Sequence, residues 1–410
     1  MIIRICHVNI SLSETVQDLS VNSEVFMSVL GIVAEYDPFH NGHLHHLRTA
    51  MDSVSPSSVL VALSGPFKQR GEAALLSPFV RARCAVASGA DAVFALPVLW
   101  TVRDAEHYAL GAVSMLASLG ATHLAFGAET ADFPLLQRTA DLLEDSPVQL
   151  RDALRDALAE GKGYPAALAE SAGTCIPESR PLLGHANNIL AVCYLRAVRR
   201  LGLSLTPVVI PRAGSYHAEK ADPSVPSASA VRDSLCRGDW SALSALPEAS
   251  FSAVRSAFLA REIPDRARLD TLLLEKLRAM TPAEASRLPD CPEGLDIALL
   301  NAARTSGSRE EIISLLTTRR YSSARISRLC AYALLGITRE QLENAPLPSA
   351  AMLLAIKKNP SLTGSWKNSA VQVLSPAKWL EQAGAADLAA WRAWTLSCGL
   401  PASYPFTQKL

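Results

Sequence analysis

The sequence predicts an α/β fold, a doubly wound parallel sheet followed by a mainly α-helical C-terminal region. Three observations carry this expectation. Short, nearly continuous apolar runs alternate with helix-length segments over residues 28–210. Polar or glycine-containing loops follow the ends of those runs, where ligands bind on such sheets. Beyond Gly238 strand signals fade, and Ala/Leu/Arg-rich helical segments run to about residue 390.

The elements follow in order. Residues 28–34 read as a strand and 43–53 as a helix. A second buried strand, 59–64, ends at Gly65. A helix over 78–88 closes with Gly89, a C-cap signal. A third strand, 92–96, is ended by Pro97. A helix over 104–119 precedes Gly120, and a fourth strand, 123–126, ends at Gly127. Residues 133–170 read as helix interrupted by Gly161-Lys162-Gly163. A helix over 187–201 leads to a strand over 205–210 and a loop over 211–226. The expected organisation is an extension over 1–26, an α/β unit over 27–240 and a helical unit over 241–410.

The 410 residues are 49% hydrophobic and 19% charged, with a formal net charge of zero. That composition excludes a disordered chain, and nucleic-acid binding would need a local basic patch. The eight cysteines are scattered without a CxxC pair, as expected of reduced thiols in a cytoplasmic protein. No apolar run reaches the ~18 residues a membrane span needs. Residues 1–26 lack the apolar core of a signal peptide.

The most informative stretch is Val33-Ala34-Glu35-Tyr36-Asp37-Pro38-Phe39-His40-Asn41-Gly42-His43-Leu44-His45-His46. A strand, a turn and a helix N-terminus form a phosphate site, because backbone N–H groups and the helix dipole converge there. His40 and His43 lie one turn apart and can face the same anion. Metal binding and a structural role are the other readings of such a pair. His45 and His46 read as solvent-facing or packing residues beside it. The loop Ser64-Gly65-Pro66-Phe67-Lys68-Gln69-Arg70-Gly71-Glu72 carries cations between glycines and reads as a clamp for phosphate or an acidic substrate, or as a solvated loop. Ser227-Ala228-Ser229-Ala230-Val231-Arg232 reads as a helix start with Arg232 one turn in, aimed at phosphates. Asn187 and Asn188 read as caps or as readers of a nucleobase or ribose. Gly127, Arg212 and His217 complete the polar candidates. In the helical part, Arg319, Arg320, Tyr321, Arg325 and Arg328 form a basic cluster with an aromatic, able to hold RNA or to form a solvated face.

The order of these motifs resembles the bacterial tRNA(Met) cytidine acetate ligases, within the Rossmann-like nucleotidyltransferase superfamily. The matching stretches are 31–43, 64–72, 89–97, 126–129, 186–190 and 227–232, with Glu293-Gly294-Leu295 and Arg320-Tyr321 further on. The sequence departs from the family pattern at Asp37 (usually Asn), Ala95 (usually acidic), Ala186 (usually Pro) and Ser229 (usually Thr). The resemblance implies an ATP-dependent ligase that makes acetyl-adenylate from acetate. The acetyl group then passes to N4 of the wobble cytidine of elongator tRNA(Met). It implies His40, His43 and Arg232 as catalytic residues on the phosphates, with ATP and Mg²⁺ as cofactors. ATP is expected along 33–46 and at Gly127, Asn187, Asn188, Arg212, Ser227 and Ser229. Two other readings stay open: an adenylyltransferase acting on a small phosphorylated acceptor, and a catalytically decayed tRNA-binding relative.

Overall fold

The computed structural model describes residues 28–212, 228–357, 366 and 369–403. Ser227, His217 and residues 1–26 lie outside the described residues. The chain forms strand β1 (Val29–Ala34), helix α1 (Asn41–Val54), β2 (Ser58–Ser64), α2 (Pro78–Ala87) and β3 (Ala92–Leu96). Then come α3 (Val98–Thr101), α4 (Ala105–Ser118) and β4 (His123–Ala128). Helices α5 (Phe133–Asp145), α6 (Val148–Ala159), α7 (Tyr164–Cys175), α8 (Ser179–Leu182) and α9 (Ala186–Arg200) lead to β5 (Thr206–Pro211). β2 and β3 are buried along their whole length, as their unbroken apolar runs require. The helical stretch after β4 breaks a second time at Ser146-Pro147. Ser146 caps α5 in the left-handed region, and Pro147 cannot continue it.

The C-terminal half is not helical throughout. After α10 (Ala228–Cys236), α11 (Glu248–Leu259), α12 (Arg266–Ala279), α13 (Pro282–Ala285), α14 (Leu295–Thr305), α15 (Arg309–Leu316), α16 (Ser323–Leu335) and α17 (Arg339–Glu343), the chain returns to the sheet. It adds β6 (Ala350–Ile356) and β7 (Gln372–Leu374), then α18 (Pro376–Gln382) and α19 (Ala385–Cys398). The region beyond Gly238 is mainly helical, as expected, with two strands added to the sheet. The run Ala350-Ala351-Met352-Leu353-Leu354-Ala355-Ile356 is apolar without alternation, and such a run suits a buried helix as well as a buried strand.

Among the described residues the sheet has seven strands in the order β5-β4-β1-β2-β3-β6-β7. The first five are parallel; β6 pairs antiparallel with β3, and β7 runs parallel to β6. The sheet is therefore mixed rather than wholly parallel. One face packs on α4, α5 and α9 through residues such as Leu116, Phe126 and Tyr194. The other packs on α1, α2, α10 and α11 through Leu47, Phe79, Val231 and Val254. A third apolar cluster joins Phe67, Val98 and Val102 to α12, α14 and α16.

Candidate active site

α1 begins one residue after His40, whose side chain caps it. His40 Nδ1 accepts from the Gly42 N–H at 3.0 Å, and His43 Nδ1 accepts from the His40 N–H at 3.3 Å. The two rings stack with centroids 3.8 Å apart. Burial, helped by Arg212 and Arg232, pushes His40 down to about 4. Burial also holds His43 well below its ordinary value, with His40, His46 and Arg212 adding to the effect. Both rings are therefore neutral at pH 7. Since each Nδ1 is occupied as an acceptor, this hydrogen-bond network assigns the proton to Nε2. The pair presents Nε2–H donors at a helix N-terminus.

The rest of the 33–46 stretch divides by role. Val33, Ala34, Glu35, Tyr36, His40, Gly42, His43, His45 and His46 line one cavity of about 1220 Å³. Tyr36 and Phe39 are buried, and the Tyr36 ring lies 4.7 Å from Phe39 and 4.9 Å from His43, so they back the imidazole pair. Asp37, Pro38, Phe39, Asn41 and Leu44 are not on that wall. Asn41 Nδ2 reaches the Ser244 carbonyl at 3.4 Å, and Leu44 packs into the core. His46 is also held near 4, by burial first and then by Arg212 and His45, and among the described residues its buried Nε2 has no hydrogen-bond partner. Gly127 lies opposite. A Cβ there would make ordinary contact with Arg212 Cγ at 3.4 Å and His46 Cδ2 at 3.7 Å, so Gly127 sits beside both side chains.

Asp37 is buried behind the pair. Its carboxylate accepts the N–H groups of Leu75 (3.0 Å) and Leu76 (3.2 Å), and Lys68 Nζ lies 3.5 Å away. The same ammonium is 2.7 Å from Glu72. Burial would raise the Glu72 carboxyl, but the charge and hydrogen bond of Lys68 hold it down to about 2. Arg232, from α10, donates to the Asp37 carbonyl at 2.7 Å and to Ser229 Oγ at 2.9 Å. Arg232, Ser229, Lys68, Gln69 and Arg70 line the cavity. Gln69 is tied down, however: its N–H donates to Glu35 at 2.8 Å and its Nε2 to the Arg103 carbonyl. Ser64 and Gly65 lie away from the cavity wall, and their carbonyls accept from the buried guanidinium of Arg81. Arg81 also donates to the carbonyls of Glu35 and Leu76.

The two asparagines separate. Asn188 is wholly buried; its side chain accepts from Thr130 N–H and donates to Thr130 Oγ1 and the Leu182 carbonyl. That set of partners uses up its polar atoms, so it holds α9 in place rather than reading a base. Asn187 lines the cavity and donates to Glu129, which also accepts the Asn188 N–H at the α9 N-terminus.

The cavity extends to the helical region. Arg319, Arg320, Arg325 and Arg328 line its far side. The guanidinium groups of Arg320 and Arg325 sit 5.6 and 5.3 Å from the centre of the Tyr321 ring. Arg325 donates to the Asp290 carbonyl at 3.0 Å, and Arg328 lies 3.5 Å from the Asp290 carboxylate. Gly71 permits the loop carrying Lys68 and Arg70 to touch α16. A Cβ there would fall 2.9 Å from the Ser327 carbonyl, and its φ is +79°. Among the described residues no group of three or more His, Cys, Asp or Glu side chains is placed to hold a metal ion.

The sequence and the fold match known proteins. The model of the HIGH Nucleotidyl Transferase family matches residues 27–393. A tRNA(Met) cytidine acetate ligase of Syntrophomonas wolfei is 35% identical over 77% of this chain and 78% of its own length. That of Syntrophotalea carbinolica is 37% identical over 75% of this chain and 74% of its own. The chain belongs to the tRNA(Met) cytidine acetate ligase family. The crystal structure of Thermotoga maritima TmcAL bound with alpha-thio ATP superposes with a TM-score of 0.81 at 28% identity, covering 87% of each chain.

Within this tRNA(Met) cytidine acetate ligase frame, the sequence does not single out Arg81, Asp290 or the pair Asp104–His107. His107 Nδ1 stands 2.8 Å from Asp104, and both side chains line the cavity wall. Burial would raise Asp104, yet its bonds and charge contact with His107 hold it at about 2. A lone Arg inside an apolar helix, or a DxxH spacing at a helix start, carries no distinguishing sequence signal.

Proposed function

We propose that this chain is an ATP-dependent ligase that joins acetate to N4 of the wobble cytidine of elongator tRNA(Met). One observation carries the reading: a stacked pair of neutral Nε2–H donors beside Arg232 and an arginine cluster on α16 and the turn before it share one cavity. Acetate is already ionised at pH 7 and needs no general base. Its carboxylate oxygen attacks the α-phosphorus of ATP and pyrophosphate leaves. Catalysis of that step is placement of donors and positive charge on phosphate oxygens. His40, His43 and Arg232 supply it, and Arg212 adds charge beside His46. Mg²⁺ would sit on the pyrophosphate portion of the substrate.

In the second step the N4 amine attacks the acetyl carbonyl, and AMP leaves from the adenylate. A wobble base in an anticodon loop is single-stranded and needs little unpairing. Arg319, Arg320, Tyr321, Arg325 and Arg328 are the groups that would hold that loop. ATP–pyrophosphate exchange, run with and without acetate, tests the first step. Acetyl transfer to unmodified elongator tRNA(Met) tests the second. Acetate-dependent exchange followed by N4-acetylcytidine formation is the expected result. Exchange that ignores acetate would move the chain to the adenylyltransferases, and tRNA binding without any exchange would make it a decayed relative.

A further inference from the structure

Directly behind the phosphate end lies a cluster of four charges. Asp37 and Lys68 are buried, at 1% and 4% exposure. The Lys68 ammonium bridges Asp37 (3.5 Å) and Glu72 (2.7 Å), and Arg232 Nε comes within 4.0 Å of the Asp37 carboxylate. Lys68, Glu72 and Arg232 also form the wall between the main cavity and a second one of about 550 Å³. A buried carboxylate three residues from the capping His40 would repel a triphosphate, because screening by water is weak there. With Lys68 present the cluster sums to zero: two carboxylates against two cations. Meanwhile Asp37 does necessary work. It accepts the Leu75 and Leu76 N–H groups, and its carbonyl and carboxylate together orient Arg232.

We propose that Lys68 is a positioning residue for ATP. It cancels the Asp37 carboxylate, so that Asp37 can fix Arg232 and the loop before α2 without repelling the phosphates. Lys68 then acts through Asp37 and Arg232 rather than as a direct clamp on phosphate, the part the sequence suggested for its loop. The two residues form a unit: removing both charges leaves the sum of the four unchanged, and removing only the lysine leaves them one net negative charge. This inference rests on the ATP-handling reading above, which acetate-dependent exchange by the unaltered protein tests separately.

The experiment is a double-mutant cycle of Lys68→Met and Asp37→Asn, read by ATP affinity in calorimetry and by KM and kcat of exchange, with a thermal melt of each variant. Lys68→Met is expected to weaken ATP binding at least tenfold and to raise KM more than it lowers kcat. Adding Asp37→Asn is expected to restore affinity to within threefold of the unaltered protein. A general loss of packing would not be rescued by removing a second charge. Unchanged ATP affinity in a folded Lys68→Met variant would overturn the proposal, as would a double variant no better than the single one. If Lys68→Met does not fold, the double variant decides alone: it must fold and bind ATP within threefold, and its failure to do either overturns the proposal.

Discussion

In the proposed role on the phosphates, His40 and His43 would present the ring nitrogen that their Nδ1 contacts leave over. Because each Nδ1 accepts a main-chain N–H, each Nε2 is a donor, and burial keeps the rings uncharged. The consequence is measurable as a pH dependence of stability. The unfolded chain takes up imidazole protons near pH 6.5, whereas folded His40 and His46 do so only near 4 and His43 well below 6.5. Between those values the unfolded state binds more protons, so stability falls as the pH drops from 6.5 towards 4. Asp387 opposes this: burial raises its carboxyl to about 6, which favours the folded state as the pH falls through 6. Glu72 and Asp104, held near 2, contribute stability that fades only below about 4. Burial also raises Asp270, and three imidazoles outweigh these two carboxyls. The melting temperature is expected to fall between pH 6.5 and 4.5, and to fall less with ATP, whose phosphates favour the protonated rings. A flat or rising melting temperature over that range would contradict the assignment.

At the scale of elements, the site is a set of strand ends tied together by one side chain. Arg81 on α2 donates to the carbonyls of Glu35, Ser64, Gly65 and Leu76, linking the ends of β1 and β2 to the loop before α2. Replacing it with Met strands those carbonyls without donors. The expected loss is more than about 3 kcal/mol, since each buried group left unpaired costs about 1–3 kcal/mol. A urea unfolding midpoint measures it, and a cost below about 1 kcal/mol would show that the carbonyls find other partners. This linkage explains what the sequence could and could not convey. β1 through β5 were legible because buried parallel strands require apolar runs, and the phosphate end was legible because a strand, a turn and HxGH must be adjacent in the chain. Arg81, Asp290 and the burial of Asn188 were not, because their partners come from distant segments: Asn188 meets Thr130 and Leu182, and Asp290 meets Arg325 and Arg328. Residue type alone makes Asn188 a possible base reader; only its partners make it a brace.

Across the whole molecule, one cavity has two chemically different ends. His43→Ala is therefore expected to lower exchange by at least ~100-fold, the scale of losing a preorganised donor, while leaving tRNA affinity within twofold. Arg320→Ala is expected to do the reverse, giving normal exchange with weaker and less salt-dependent tRNA binding. Equal loss of both activities in either variant would refute the division. The two ends are not, however, separable pieces. Cutting the chain at residue 240 would remove β6 from the edge of β3, whose five residues are fully buried. It would also remove Val254, Met352, Leu354 and Trp391 from the core under α1 and α2. The indole N–H of Trp394 on α19, which donates to the Ala74 carbonyl at 2.8 Å, would go too. A fragment of 27–240 would then expose an apolar, unpaired strand edge, a template for aggregation. It is expected to be insoluble or to melt without a cooperative transition, and to bind no ATP, whereas 27–403 melts cooperatively and binds it. A 27–240 fragment that unfolds cooperatively and binds ATP would show that the phosphate end stands without the strands that return from the C-terminal half.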